Sequence, residues 1–150
     1  MQPLTAIVYV SSAVTLLDND ALVELLRVAR ARNEDAGVTG LLLHADGNFL
    51  QYLEGEHDRL MPIWASIERD PRHHRINVLL DGPTAQREFE GWSMAYGSTD
   101  LPGFLSLSLS DWSNHGRGVA ANKEPDLTPG RALIRAMWTA MHPGLRGTGL

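Results

Sequence analysis

Residues 38–55 read VTGLLLHADGNFLQYLEG, and this stretch decides the fold. Two apolar runs, VTGLLLH and NFLQYLEG, flank Asp46-Gly47, the strongest short-range hairpin signal a sequence offers. They are expected to pair as the second and third strands of a sheet. Immediately upstream, Gly37 suits the left-handed residue that ends a helix. Before it, Leu22, Leu25, Leu26, Ala29 and Asn33 recur at i, i+3, i+4, i+7 and i+11, which is one helical face. The cap-forming residues Asp18, Asn19 and Asp20 precede that face. Residues 4–11, LTAIVYVS, are rich in β-branched and aromatic residues and read as a first strand buried on both sides. Ile7, Tyr9 and Ser11 lie on one face, Val8 and Val10 on the other.

Downstream of the hairpin, Leu60, Ile63, Trp64 and Ile67 mark the inner face of a second helix from about His57 to Arg69. Pro62 is awkward there unless it lies in the first turn, so the helix is expected to start later than the pattern suggests. RDPRHHR, Arg69 to Arg75, reads as a basic loop, and INVLLDG from Ile76 as a fourth strand ending near Pro83. The order βαββαβ gives an α+β, ferredoxin-like fold, with strands one and three expected to be adjacent and parallel. GWSMAY, Gly91 to Tyr96, supplies a fifth strand.

Beyond Tyr96 the chain is rich in Ser, Gly and Pro as far as Thr128-Pro129, a good N-cap and N1 pair. LSLSLSDW, Leu105 to Trp112, alternates like a strand, yet Leu105, Leu109 and Trp112 also keep helical spacing; helix is preferred. Leu133, Ile134, Met137, Trp138 and Met141 form the apolar stripe of a final helix. Residues 1–97 are thus read as the core, and 98–150 as a helical extension packing on the core or on a partner.

The chain has 150 residues with 43% hydrophobic and 21% charged side chains, an ordinary soluble composition able to bury a core without staples. Its net charge is −5, and Lys123 is the one lysine, so nucleic-acid binding is not expected. MQPLTAIVYV lacks the charged start and long apolar run of a signal peptide, and no segment reaches membrane-span length. A cytoplasmic location is the expectation. With no cysteine, thiolate nucleophiles, iron–sulfur ligation and cysteine–flavin adducts are excluded. No His, Asp or Glu set has metal-ligand spacing, and no metal is expected.

Gln51 is the least comfortable core residue. In FLQYL it shares a strand face with Phe49 and Leu53, yet an unpaired buried amide costs roughly 1–3 kcal/mol. Either it faces water on an edge strand, or side chains or a ligand satisfy it. Tyr9 on a neighbouring strand can point towards Gln51, although a strand tyrosine more often sends its hydroxyl to the surface. Asn33 is an amide on the apolar stripe of the first helix; unaided, it reads as a C-terminal cap or turn residue. Three polar groups on one apolar layer describe a small-molecule pocket that would suit a flat, amide-rich heterocycle.

IVYVS, ARNEDAGVTGLLLHADGNFLQYLEG, IERDPRHHRINVLLDGP and REFEGWSMAY, spread over roughly residues 4–97, resemble the BLUF domains, blue-light sensors that use FAD. The resemblance implies a flavin ring between the two helices and the sheet, FMN or riboflavin being possible in place of FAD. It makes Tyr9 the electron donor, Gln51 the amide that relays hydrogen bonds and ends rotated or tautomerised, and Asn33 the anchor of the ring. Trp92 and Met94 match the family's WxM segment and would transmit the change. Arg32, just before the anchoring asparagine, occupies a variable position and is otherwise a solvated helix residue. Arg72 and His73 would flank the ribityl–phosphate tail, guanidinium pairing well with phosphate. Ser11, Leu25, Ile67 and Asp70 complete the expected lining.

On this reading the protein is a photoreceptor rather than an enzyme. With no effector domain within these residues, it would signal non-covalently through a homo-oligomer interface or a separate protein. The alternative is a small ferredoxin-like enzyme handling an acyl or phosphoryl substrate through Arg72 and His73. That alternative leaves the convergence of Tyr9, Asn33 and Gln51 unexplained, and no Ser/His/Asp or paired-carboxylate set supports it.

Overall fold

A computed structural model describes residues 3–14, 18–110, 112 and 129–141. The hairpin forms as expected: strand β2 (Thr39–Ala45) pairs antiparallel with β3 (Asn48–Glu56). Asp46 and Gly47 both take positive φ, 49° and 81°, the pair of left-handed conformations that a tight turn matched to strand twist demands. Helix α1 (Asn19–Ala36) starts where the Asp18 carboxylate accepts from the Ala21 N–H at 2.8 Å, and stops at Gly37 with φ 69°.

Strand β1 (Leu4–Ala13) lies beside β3 in antiparallel register, which corrects the expectation of a parallel pair. The crossover through α1 makes β1 and β2 run the same way; the hairpin then reverses the chain, so β3 opposes β1. Helix α2 (His57–Arg69) begins at His57 after all, with Pro62 inside it rather than in its first turn. The missing N–H costs one helical hydrogen bond, but Leu60, Ile63, Trp64 and Ile67 bury against the sheet and hold the helix. Strand β4 (His73–Thr84) begins three residues earlier than read, so His73, His74 and Arg75 belong to an edge strand rather than to a loop. It pairs antiparallel with β1. Strand β5 (Ala95–Ser98) is shorter and later than the expected 91–96 and runs parallel to β2. The sheet order is β4-β1-β3-β2-β5.

Both faces of this sheet are covered. On one, Ile7, Leu42, Phe49 and Leu53 meet α1 and α2. On the other, Val8, Leu41, Leu43, Leu50 and Tyr52 meet Phe89, Trp112, helix α3 (Leu101–Ser108) and helix α4 (Pro129–Met141), through Phe104, Leu107 and Ile134. The helical preference for Leu105 to Trp112 holds only as far as Ser108, where α3 ends with Leu109 as its cap. Thr128 and the side chains of Trp138 and Met141 lie outside the described residues. Where β2 crosses β3 only glycine fits: a Cβ on Gly40 would stand 2.1 Å from the Tyr52 carbonyl oxygen. No helix among the described residues is long and apolar enough to cross a membrane.

Candidate functional site

In the β1–β3 register Tyr9 is the direct partner of Gln51, and Leu42 is the partner of Gln51 from the other side. Directly opposed residues of antiparallel strands point to the same face, so the three form a row beneath α1 and α2. The buried Tyr9 hydroxyl donates to Gln51 Oε1 at 2.5 Å, and Gln51 Nε2 points to Met94 Sδ at 3.6 Å. The amide that looked uncomfortable in sequence is therefore satisfied within the core. Trp64 stands 5.1 Å from the Tyr9 ring and His73 6.0 Å, centroid to centroid. Burial pushes the Tyr9 phenol well above its ordinary range; the positive charge of Arg32 opposes this, and Asp70 adds to it.

His73 bridges three elements. Its Nε2 lies 2.7 Å from the Ile67 carbonyl, which can only accept, so Nε2 donates; Nδ1 is hydrogen-bonded to the Ser11 hydroxyl at 2.8 Å. Next to it, Arg72 grips Asp70 through Nε at 2.9 Å and Nη2 at 2.5 Å. Arg72 holds the Asp70 carboxyl below its usual value, and Asp70 raises the guanidinium in return. Asn33 is fully buried; its Nδ2 donates to the Ser93 carbonyl at 2.9 Å while Oδ1 accepts from Arg32 Nε at 3.3 Å.

These residues surround a cleft of about 690 Å³, open mouth included. Tyr9, Ser11, Leu25, Arg32, Gln51, Ile67, Asp70, Arg72, His73 and Met94, all expected from sequence, line it. Asn33 is not among the lining residues, and Trp92 packs on the opposite face of the sheet with the α3–α4 layer. Trp92 and Met94 precede β5 rather than lying on it, so they are not held to strand alternation. Leu26, Val28, Ala29, Leu42 and Phe49 also line the cleft and were not singled out. For Phe49, the two-residue offset from Gln51 was the available signal; for Leu26 and Ala29, it was the α1 stripe.

The lining suits a planar, amide-bearing heterocycle with an anionic tail. Leu25, Leu42, Phe49 and Ile67 give apolar walls, Gln51 and Tyr9 a polar edge, and Arg32 and Arg72 cationic groups at the rim. Residues 4–95 match the family described as BLUF, sensors of blue-light using FAD. The chain belongs to the BLUF family. It is 41% identical over 73 residues to a photoactivated adenylate cyclase subunit beta of Euglena gracilis, covering 49% of this chain and 8% of the relative. It is 38% identical over 66 residues to the blue light- and temperature-regulated antirepressor BluF of Escherichia coli K12, covering 44% and 16%. The chain thus spans a small part of the curated relatives it matches. Among solved structures, the dark state of the BLUF protein BlrB aligns with a TM-score of 0.65 at 30% identity, covering 91% of this chain and 98% of BlrB. Klebsiella pneumoniae BlrP1 aligns at 0.58 and 32%, covering 66% and 25%.

This BLUF protein is accordingly a flavin-dependent blue-light sensor with a ferredoxin-like sheet. The alternative of an acyl or phosphoryl enzyme gains no support, since the matched family is one of light sensors.

A second polar cluster, on the opposite face, was not anticipated. Glu54 of β3 is fully buried and accepts from Thr39 Oγ1 at 2.8 Å, Glu88 N–H at 2.6 Å and Phe89 N–H at 2.7 Å. Arg87 Nη1 donates to Thr39 Oγ1 at 2.9 Å and to the Glu54 carbonyl at 3.3 Å. Glu88 in turn holds Arg135 of α4 through Nε at 2.9 Å and Nη2 at 2.7 Å. Burial lifts the Glu54 carboxyl to about 7, against the lowering effect of its three donors.

Proposed function

We propose that Tyr9 is the electron and proton donor of the light response and Gln51 its switch. The observation that carries this is the unbroken buried chain Tyr9 Oη–H to Gln51 Oε1, Gln51 Nε2 to Met94 Sδ. Bound in the cleft, a flavin supplies blue-light absorption and an excited state able to oxidise a phenol. Tyr9, buried and held in its protonated form, gives up an electron only if its proton leaves too, and that proton has Gln51 Oε1 as its acceptor. On return of electron and proton to Tyr9, Gln51 is left rotated or tautomerised. The Tyr9 hydroxyl tolerates either orientation, because it can donate to a carbonyl or accept from an NH₂.

Arg32 and Arg72 at the cleft favour a phosphate-bearing flavin, and because the matched family is described as using FAD we assign FAD. In this scheme Asn33 anchors the ring. The protein acts as a sensor rather than an enzyme, in the cytoplasm. Residues 98–150, whose described helices α3 and α4 cover the far face of the sheet, carry the signal to a second copy or to a separate effector protein.

Purified protein should be yellow, and blue light should move its visible spectrum reversibly to the red. Tyr9→Phe should keep the flavin and abolish the shift. A colourless protein that takes up no added FAD, or a shift that survives in Tyr9→Phe, would overturn the scheme. Chromatography of the extracted chromophore checks FAD against FMN and riboflavin.

A further inference from the structure

Three consecutive carbonyls just ahead of β5 are held from outside their own segment. Gly40 N–H of β2 donates to the Trp92 carbonyl at 3.0 Å, Asn33 Nδ2 to that of Ser93 at 2.9 Å, and Arg30 Nε to that of Met94 at 2.9 Å. Arg30 and Asn33 stand at i and i+3 on α1, so one side of that helix grips two successive peptide units. Residues 91–94 make no strand ladder of their own, and ladder pairing with β2 begins only at Ala95. The α1 side chains therefore locate the backbone from which the Met94 side chain hangs.

The location of Met94 matters because its sulfur has no proton to give. An NH₂ facing Sδ is a weak but matched contact; a carbonyl oxygen facing it opposes two lone-pair atoms. Tyr9 accepts either orientation of Gln51, so the choice between them falls to the Met94 side of the amide. We infer that Arg30 is a positioning residue for the light response: its guanidinium on the Met94 carbonyl sets the sulfur that selects the orientation of the Gln51 amide. The inference rests on the reading of Gln51 as the switch. It adds an exposed residue of α1 that does not line the cleft. The bond is charge-assisted and belongs to the stronger class of main-chain hydrogen bonds.

The test uses the flavin-loaded protein and compares Arg30→Ala with Arg27→Ala, a control on the same helix whose guanidinium is paired with Glu24 on the surface. Two readouts are taken: the NMR shift of the Met94 ε-methyl in the dark, and the rate of dark recovery after blue light. Arg30→Ala should displace the methyl resonance and slow recovery by roughly three- to ten-fold, the reoriented amide no longer being disfavoured. Arg27→Ala should do neither, and Arg30→Lys should restore part of both. Met94→Ala should slow recovery as well, and adding Arg30→Ala to it should bring little more. An unmoved methyl resonance, unchanged or faster recovery in Arg30→Ala, or fully additive effects of the two substitutions would overturn the inference. If Arg30→Ala does not fold, Arg30→Gln carries the same measurements. Survival of the shift in Tyr9→Phe sinks the donor assignment instead, and leaves the dark methyl readout standing, so the two failures are separable.

Discussion

Glu54→Gln should remove a pH dependence from the stability of this protein. The carboxyl lies fully buried on β3, with Thr39 Oγ1 and the Glu88 and Phe89 amides aimed at it, and burial still outweighs those donors. Its folded value of about 7 stands above the ordinary 4.5, so the native state binds this proton more tightly than the unfolded chain does. The stabilisation is therefore complete below the unfolded value and fades as pH rises through the folded one. Moving a carboxyl from 4.5 to about 7 is worth about 3 kcal/mol. Glutamine stays neutral at every pH, but it offers one acceptor oxygen to three donors and turns an NH₂ on one of them, a fixed cost of roughly 1–3 kcal/mol. Denaturant unfolding of both proteins between about pH 5 and pH 8 isolates the effect, because every other titrating group is shared. The wild-type advantage should shrink as pH rises. Parallel profiles would refute the reasoning, since they would mean that the three donors cancel the burial.

Other expectations are as direct. Gln51→Leu should retain flavin and fold yet lose the reversible red shift, read by absorbance before and after blue light; a normal photocycle would reject the switch. Gly40→Ala, which forces a methyl to within 2.1 Å of the Tyr52 carbonyl, should prise β2 from β3 and cost roughly 1–3 kcal/mol or more in denaturant unfolding. Asp18→Ala removes the side-chain cap of α1 and should cost roughly 1 kcal/mol, with little effect on the absorption spectrum.

Local chemistry was legible wherever a residue type answers to a local demand. Asp46-Gly47 declared the turn, Gly37 the helix end, and the Leu22–Asn33 stripe the buried side of α1. Gln51 announced itself because an amide among Phe49 and Leu53 needs partners. Strand direction was harder: the sense of β1 against β3 depends on counting reversals along the chain, which no residue encodes. His73 to Arg75 read as loop because β4 is an edge strand whose outward residues keep no apolar alternation. The main-chain partners of the Asn33 and Glu54 side chains, Ser93, Glu88 and Phe89, lie 34 to 60 positions away, and spacing along the chain does not reveal them. The cleft itself was reached from residue physics only as a polar triad; the flavin was named by resemblance and then by family.

Along β3, Phe49, Gln51 and Leu53 face one way, and Leu50, Tyr52 and Glu54 the other. The sheet is thus a partition one residue thick, with the cleft on one side and contacts to the C-terminal helices on the other. Leu50, Tyr52 and Glu54 are not among the residues that line the cleft, so a substitution at any of them reaches the cleft only through the sheet. The Gly40–Trp92, Asn33–Ser93 and Arg30–Met94 ties mark the rim where the two sides meet, and there a change cannot be confined to one of them.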